Sequence, residues 1–161
     1  MTTQVTGKAL PPTPNLIPVQ VKLAAAWTSF MFLYVYVDIL FMYFPGVVED
    51  ILAGVVWEFQ ISQVWAVSAL GLMAIPILMV VLSTVLPARP NRITNLAVAS
   101  LYALVSVGNA IGESWTYYFA LGIGLELVVL AMIFRLAWVW PVVADASLAR
   151  PHDAVVVHRQ G

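Results

Sequence analysis

"NRITNLAVASLYALVSVGNAIGE", residues 91–113, has the length and much of the apolar content of a membrane span, yet it carries an arginine, asparagines, a tyrosine, serines and a glutamate. Their spacing organises them. Arg92, Asn95, Ala99, Tyr102, Ser106, Asn109 and Glu113 are separated by 3, 4, 3, 4, 3 and 4 residues. On a helix those positions form one narrow stripe. Every member except Ala99 can hydrogen-bond. Such a stripe cannot face lipid cheaply, so it is expected to face the interior of a helix bundle.

The rest of the chain supplies the bundle. Of its 161 residues 62% are hydrophobic and 9% charged, against about 25% charged in soluble domains. Four apolar runs are each long enough to cross a hydrocarbon core of about 30 Å as helices. They are residues 22–44, 62–86, 92–112 and 117–143. The predicted fold is an all-α, polytopic membrane four-helix bundle over residues 22–143. Residues 1–21, with Pro11, Pro12, Pro14 and Pro18, read as an extended lead-in rather than a secretory signal. Residues 144–161 read as a polar tail.

Charge sets the orientation. Lys8 and Lys22 precede the first span, Arg89 and Arg92 flank the turn between the second and third, and Arg150 and Arg159 follow the fourth. The other two connections hold Glu49, Asp50, Glu58 and Glu113 and no Lys or Arg. The positive-inside rule therefore places both termini in the cytoplasm. Trp27, Trp138 and Trp140 are expected as anchors at the inner interface, and Trp65, Trp115, Tyr117 and Tyr118 at the outer one. Between spans one and two, "PGVVEDILAGVVWEF" places Val48, Ile51, Leu52, Val55, Val56 and Phe59 at helical spacing. It reads as a short interfacial helix on the outer surface, an anchor rather than a lid.

Several function classes are disfavoured. The net charge of −1 and the lack of a basic cluster give no reason to expect a nucleic-acid partner. With no cysteine, disulfides and thiolate chemistry within the chain are excluded. His152 and His158 both lie in the tail, so neither an intramembrane haem nor a zinc site is expected, and no cofactor or metal is assigned.

The acids in the spans carry the functional signal. Asp38 is placed about 9 Å inside the outer end of span one, and Glu126 about 13 Å inside the outer end of span four. Inserting an ionised carboxylate costs on the order of 2.5–3.5 kcal/mol, more than the roughly 0.6 kcal/mol of an average interhelical hydrogen bond. Arg135 cannot serve as partner, because nine helical steps of about 100° turn it away from Glu126. Either the carboxyls are neutral, or they meet a proton, a cation, a ligand or a partner's basic group. Asp38, Ser106, Asn109 and Glu126 fall within about 8 Å along the membrane normal. Tyr34, one turn before Asp38, faces the same way. The expected pocket is therefore Asp38, Glu126, Asn109, Glu113, Tyr34 and Ser106, with Arg92, Asn95 and Tyr102 continuing the polar seam, Arg92 at its cytoplasmic end; for Asn95, Tyr102 and Ser106 helix glue is the favoured reading. Gly122 is expected to open space beside Glu126. Gly108 and Gly112 form a GxxxG pair suited to close helix approach. Pro76 leaves the Leu72 carbonyl without its helical donor.

"YVYVDILFMYFPG" (34–46), "IPILMVVLSTVLPARPNRITN" (75–95) and "AWVW" (137–140) resemble a bacterial family of small four-helix membrane proteins of unknown function. The more specific elements are Tyr34 with Asp38, and Asn91, Arg92 and Asn95. The resemblance spans about Lys22 to Trp140 and implies four spans and a bacterial cytoplasmic (inner) membrane location. It implies no activity, ligand or catalytic residue. Three functions remain open: binding or carriage of a proton, cation or small ligand; an accessory or assembly subunit with a membrane-protein partner or a second copy; and an intramembrane enzyme using Asp38 and Glu126 as acid and base. No nucleophile or metal motif supports the last, so an enzyme is the less favoured reading. The lipid bilayer is the expected surrounding in all three.

Overall fold

The computed structural model describes residues 17–109 and 115–140. Among them are five helices, α1 (Val19–Phe41), α2 (Val47–Leu52), α3 (Gln63–Val85), α4 (Ala88–Gly108) and α5 (Thr116–Val139), and one hairpin of β1 (Val55–Val56) and β2 (Phe59–Gln60). The lead-in before residue 17, the tail after residue 140, and Glu113 and Gly112 lie outside the described residues.

Local chemistry sets the helix ends. Pro18 stands immediately before α1, where its lack of an N–H costs no helical hydrogen bond. Ser62 caps α3, its hydroxyl accepting from the Trp65 N–H at 3.2 Å. Leu86 is extended (ψ 142°) because Pro87 follows it and disfavours helical backbone. α4 begins at Ala88, four residues before the expected start at Arg92. Pro90 does not delay it, since a proline in the first turn sacrifices no helical hydrogen bond. α1 likewise begins before Lys22 and ends at Phe41 rather than Phe44.

The connection between α1 and α3 departs from expectation. The amphipathic helix stops at Leu52, and Val55, Val56 and Phe59 belong to the hairpin instead. Gly54 adopts φ +82° and so terminates α2 in the left-handed conformation that glycine takes without penalty. Its carbonyl then accepts from the Ile61 N–H at 2.8 Å, closing the hairpin. Six residues of helix remain where a longer one was expected.

Three helices, α1, α3 and α5, are long and apolar enough to cross a membrane. α4 is not among them, because its asparagines and arginines lower its mean hydropathy. The asparagines, however, are turned inward. The buried stripe of α4 is Asn91, Asn95, Ala99, Tyr102 and Ser106, while Ile93, Leu101, Leu104 and Val107 face outward. Asn91 therefore heads the seam in place of Arg92. Arg92, one helical step round, holds its guanidinium over the Trp138 ring, 5.8 Å from the centroid.

α1 packs against α3 and α5, α5 against α4, and α4 more sparingly against α3. Large side chains bridge the remaining diagonal. Trp27, Phe30 and Tyr102 are wholly buried, with Phe30 edge-on to both Trp27 (5.8 Å) and Tyr102 (5.7 Å). Trp27 is thus a core residue, not the interface anchor expected of it. Its indole N–H donates to Asn95 Oδ1 at 2.7 Å. The Asn95 amide in turn donates to Asn91 Oδ1 at 2.6 Å and to the Asn91 carbonyl at 2.9 Å. The Asn91 amide donates to the Ser83 carbonyl at 2.7 Å. This buried chain ties α1, α3 and α4 together beside the α3–α4 turn.

A second tie lies halfway along α3. Pro76 has no N–H for the Leu72 carbonyl, and the Tyr102 hydroxyl donates to that carbonyl instead. The expected orphan acceptor is real, and a seam residue takes it.

Both ties can be weighed by substitution. Asn95→Ala strands the Trp27 indole N–H and Asn91 Oδ1, and is expected to cost about 1–3 kcal/mol, read by reversible unfolding in mixed detergent micelles. Tyr102→Phe is expected to cost about 1 kcal/mol. In a Pro76→Ala background it should cost clearly less, because the backbone N–H restored at position 76 can bond the Leu72 carbonyl. Strictly additive effects in that double-mutant cycle would refute the pairing.

Candidate functional site

At the end of the molecule away from the asparagine cluster, α1, α3, α5 and the end of α4 border an open cavity of about 560 Å³. Four of the expected pocket residues border it: Tyr34, Asp38, Asn109 and Glu126. α1 contributes Tyr34 and Asp38 one turn apart, as their spacing requires. Asp38 lies three residues before α1 ends at Phe41, about 4.5 Å along the axis, shallower than counting back from Phe44 suggests because the helix stops early. Its side chain is exposed toward the cavity in the isolated chain. Glu126 lies ten residues beyond the start of α5, about 15 Å along it, and is only 3% exposed.

Tyr34 and Asn109 meet across the site. The Asn109 amide, just past the last turn of α4, donates to the Tyr34 hydroxyl at 2.9 Å. Because Tyr34 accepts here, its own proton is left for another acceptor. Ser106 lies one turn earlier on α4, wholly buried, near the Glu126 carboxyl. Unlike the four, it does not line the cavity. Glu113, the remaining expected member, falls outside the described residues. Arg92, Asn95 and Tyr102 do not reach the cavity and belong to the packing described above.

Among the described residues, no lysine or arginine lines the cavity. Arg135 is exposed toward the other end of α5, as its spacing from Glu126 requires. Among the described residues, no group of three or more His, Asp or Glu side chains could hold a metal ion. The two carboxylates thus face a largely apolar space without a basic counterpart in the described lining.

Gly122 does not open that space. A Cβ built there would stand 2.9 Å from Val37 Cγ2, so the glycine lets α1 and α5 approach closely. One turn of contact away, the Tyr118 hydroxyl donates to the Val37 carbonyl at 2.6 Å. Phe41 tilts against Phe119 (5.7 Å) on the cavity wall, and Phe44 stacks on Trp115 (4.3 Å). Gly108 borders the cavity, and a Cβ there would meet nothing within 4 Å; Gly112, its GxxxG partner, is outside the described residues.

The connecting segment takes part too. Val47 and Ile51 of α2 and Val56 and Trp57 of the hairpin line the cavity, so this segment covers the site as well as flanking it. Trp57 occupies the first position of the two-residue turn between paired Val56 and Phe59. It has φ 55°, where such a turn ordinarily places glycine. The apolar spacing of the segment signalled a surface face, but could not indicate that the face would turn back onto the acids. Likewise Phe41, Trp65 and Phe119 line the cavity, and only their apolar periodicity was legible beforehand.

The chain belongs to a family of unknown function (DUF6326), matched over residues 19–144. No curated protein and no solved structure is matched by it.

Gly122→Ala is expected to destabilise the chain by about 1–3 kcal/mol, because the β-branched Val37 has little rotamer freedom with which to retreat. Unfolding of the variant in detergent measures this; an unchanged midpoint would mean that α1 and α5 are further apart at this level.

Proposed function

We propose that this member of a family of unknown function is a multi-pass protein of the bacterial cytoplasmic membrane that binds or carries a proton, cation or small ligand. In this reading α4 crosses the bilayer beside α1, α3 and α5. The four form one bundle with both termini in the cytoplasm, and α2 and the hairpin lie at the outer surface. The inward turn of the α4 polar stripe supports the fourth crossing, since its outward residues Ile93, Leu101, Leu104 and Val107 suit lipid. The arginines at the α3–α4 turn and the acids in the α1–α3 connection support the orientation.

The observation that carries the site is Glu126: a carboxyl 3% exposed, on a cavity that no basic side chain lines among the described residues. A carboxyl so placed costs more than packing hydrogen bonds return, and is a functional-site residue by that imbalance. Asp38 stands nearer the end of α1 on the same cavity, where it can receive a ligand before Glu126 does. Tyr34 and Asn109, held by their mutual hydrogen bond, would orient it.

Topology is testable cleanly, because the chain has no cysteine of its own. Glu49→Cys is expected to react with an impermeant maleimide in intact cells and Arg89→Cys only after lysis; the reverse pattern would sink the orientation. For the site, Glu126→Gln is expected to fold normally while losing any small ligand retained by the wild type in native mass spectrometry from mild detergent. A severe loss of stability would make Glu126 structural. A stoichiometric protein partner supplying a Lys or Arg to the two acids would make the chain a subunit instead.

A further inference from the structure

The cavity combines features that together narrow its ligand class. Its volume, about 560 Å³, lies within the range of about 300–1,000 Å³ usual for organic ligands, and is far more than a proton needs. Asp38 and Glu126 are the carboxylic acids of its described lining and no base joins them there, which disfavours anions. The described residues offer no cluster of three metal-binding side chains, and hard inorganic cations want six or more oxygens. Most of the remaining wall is apolar, with Phe41, Trp57, Trp65 and Phe119 among it.

Carboxylates and aromatic rings on one largely apolar wall suit one chemistry above others. An alkylated ammonium spreads its charge over apolar methyl groups, which pack against aromatic rings and are attracted by their π-electrons. It sheds water far more readily than a bare metal ion, and its charge answers the acids. Glu126 lines this cavity while only 3% exposed, and it forms no ion pair among the described residues. Trp57 and Trp65 present aromatic rings to the same cavity.

We infer that the cavity between α1, α3, α4 and α5 binds an organic ammonium cation, with Asp38 and Glu126 as counter-charges and Trp57 and Trp65 as aromatic wall. This rests on the reading of the cavity as a ligand site. The ammonium can belong to a free amine or to a lipid headgroup; the recognition chemistry is the same.

The test uses choline and its neutral isostere 3,3-dimethylbutanol, titrated by calorimetry into the full chain in dodecyl maltoside, which supplies no ammonium. Choline is expected to bind saturably, one per chain, and at least about tenfold more tightly than the alcohol. Asp38→Asn, a near-isosteric change at an exposed position, is expected to weaken choline about tenfold and leave the alcohol unchanged. Trp57→Ala is expected to weaken choline several-fold. Repeating the titration in phosphatidylcholine nanodiscs separates the sources: weakened apparent affinity assigns the site to the lipid headgroup, and unchanged affinity to a free cation, both upholding the ammonium. Equal binding of the two probes, or choline binding indifferent to Asp38→Asn, overturns the ammonium class while leaving a ligand site. Binding of neither probe overturns the inference. If wild type and Glu126→Gln then also carry the same bound masses in native mass spectrometry, the ligand-site reading falls with it.

Discussion

A helix bearing Asn91, Asn95, Tyr102 and Ser106 can sit among apolar neighbours only if its polar groups are answered from within the protein. An unanswered amide or hydroxyl in such surroundings costs about as much as several good contacts return. Along most of α4 the answer is complete. Asn95 is held by Trp27 and Asn91, Asn91 reaches the end of α3, and Tyr102 takes the carbonyl that Pro76 leaves free. These bonds do more than remove a penalty. Each has one geometry, so together they fix the rotation of α4 and its height against α1 and α3, which general apolar packing would leave loose.

The same constraint is met differently at the other end. There, among the described residues that line the cavity, Glu126 faces no base and Tyr34 keeps a proton to give. A chain that satisfies its polar groups with care around Asn95 leaves them open around Glu126. The contrast separates the two ends physically: one is a clamp, and the other is a cavity whose polar groups are free to meet an occupant. The clamp also serves the cavity, since it sets where Ser106 and Asn109 stand relative to Tyr34 and Glu126. A substitution at Asn95 or Tyr102 can therefore disturb the site without touching it.

Much of this was legible in the residue order. The 3–4 spacing marked an inward face, which Asn95, Ala99, Tyr102 and Ser106 form, and Pro76 announced an orphan carbonyl at Leu72. Tyr34, Asp38, Asn109 and Glu126 could be placed at compatible heights by counting residues. The errors came where one residue changes the backbone or one contact overrides a type preference. Gly54 ended α2 early, and a helical reading has no means of weighing one left-handed residue against an apolar periodicity that continues past it. Trp27 looked like an interfacial anchor because tryptophans near span ends usually are; Asn95 across the core made it a buried donor. Arg92 fitted the stripe by number, but Trp138 drew it aside and Asn91 took its place. Gly122 looked like space, and Val37 fills it.

The sequence alone determined the elements: long apolar helices, a polar face on the helix that bears Asn95 and Tyr102, acids without local bases, and a turn flanked by Arg89 and Arg92. Those follow from periodicity, chain stiffness and the cost of burying charge, all of which act over a few residues. Only the tertiary structure decided which side chains share a space. Asp38 and Glu126 are 88 residues apart in sequence, and no local rule brings them to one cavity or folds Val56 and Trp57 over it. That depends on the register of α1 against α5 at Val37 and Gly122, and on the rotation of α4 set by Asn95 and Tyr102, because contacts across a core are chosen by shape and hydrogen-bond geometry rather than by spacing along the chain.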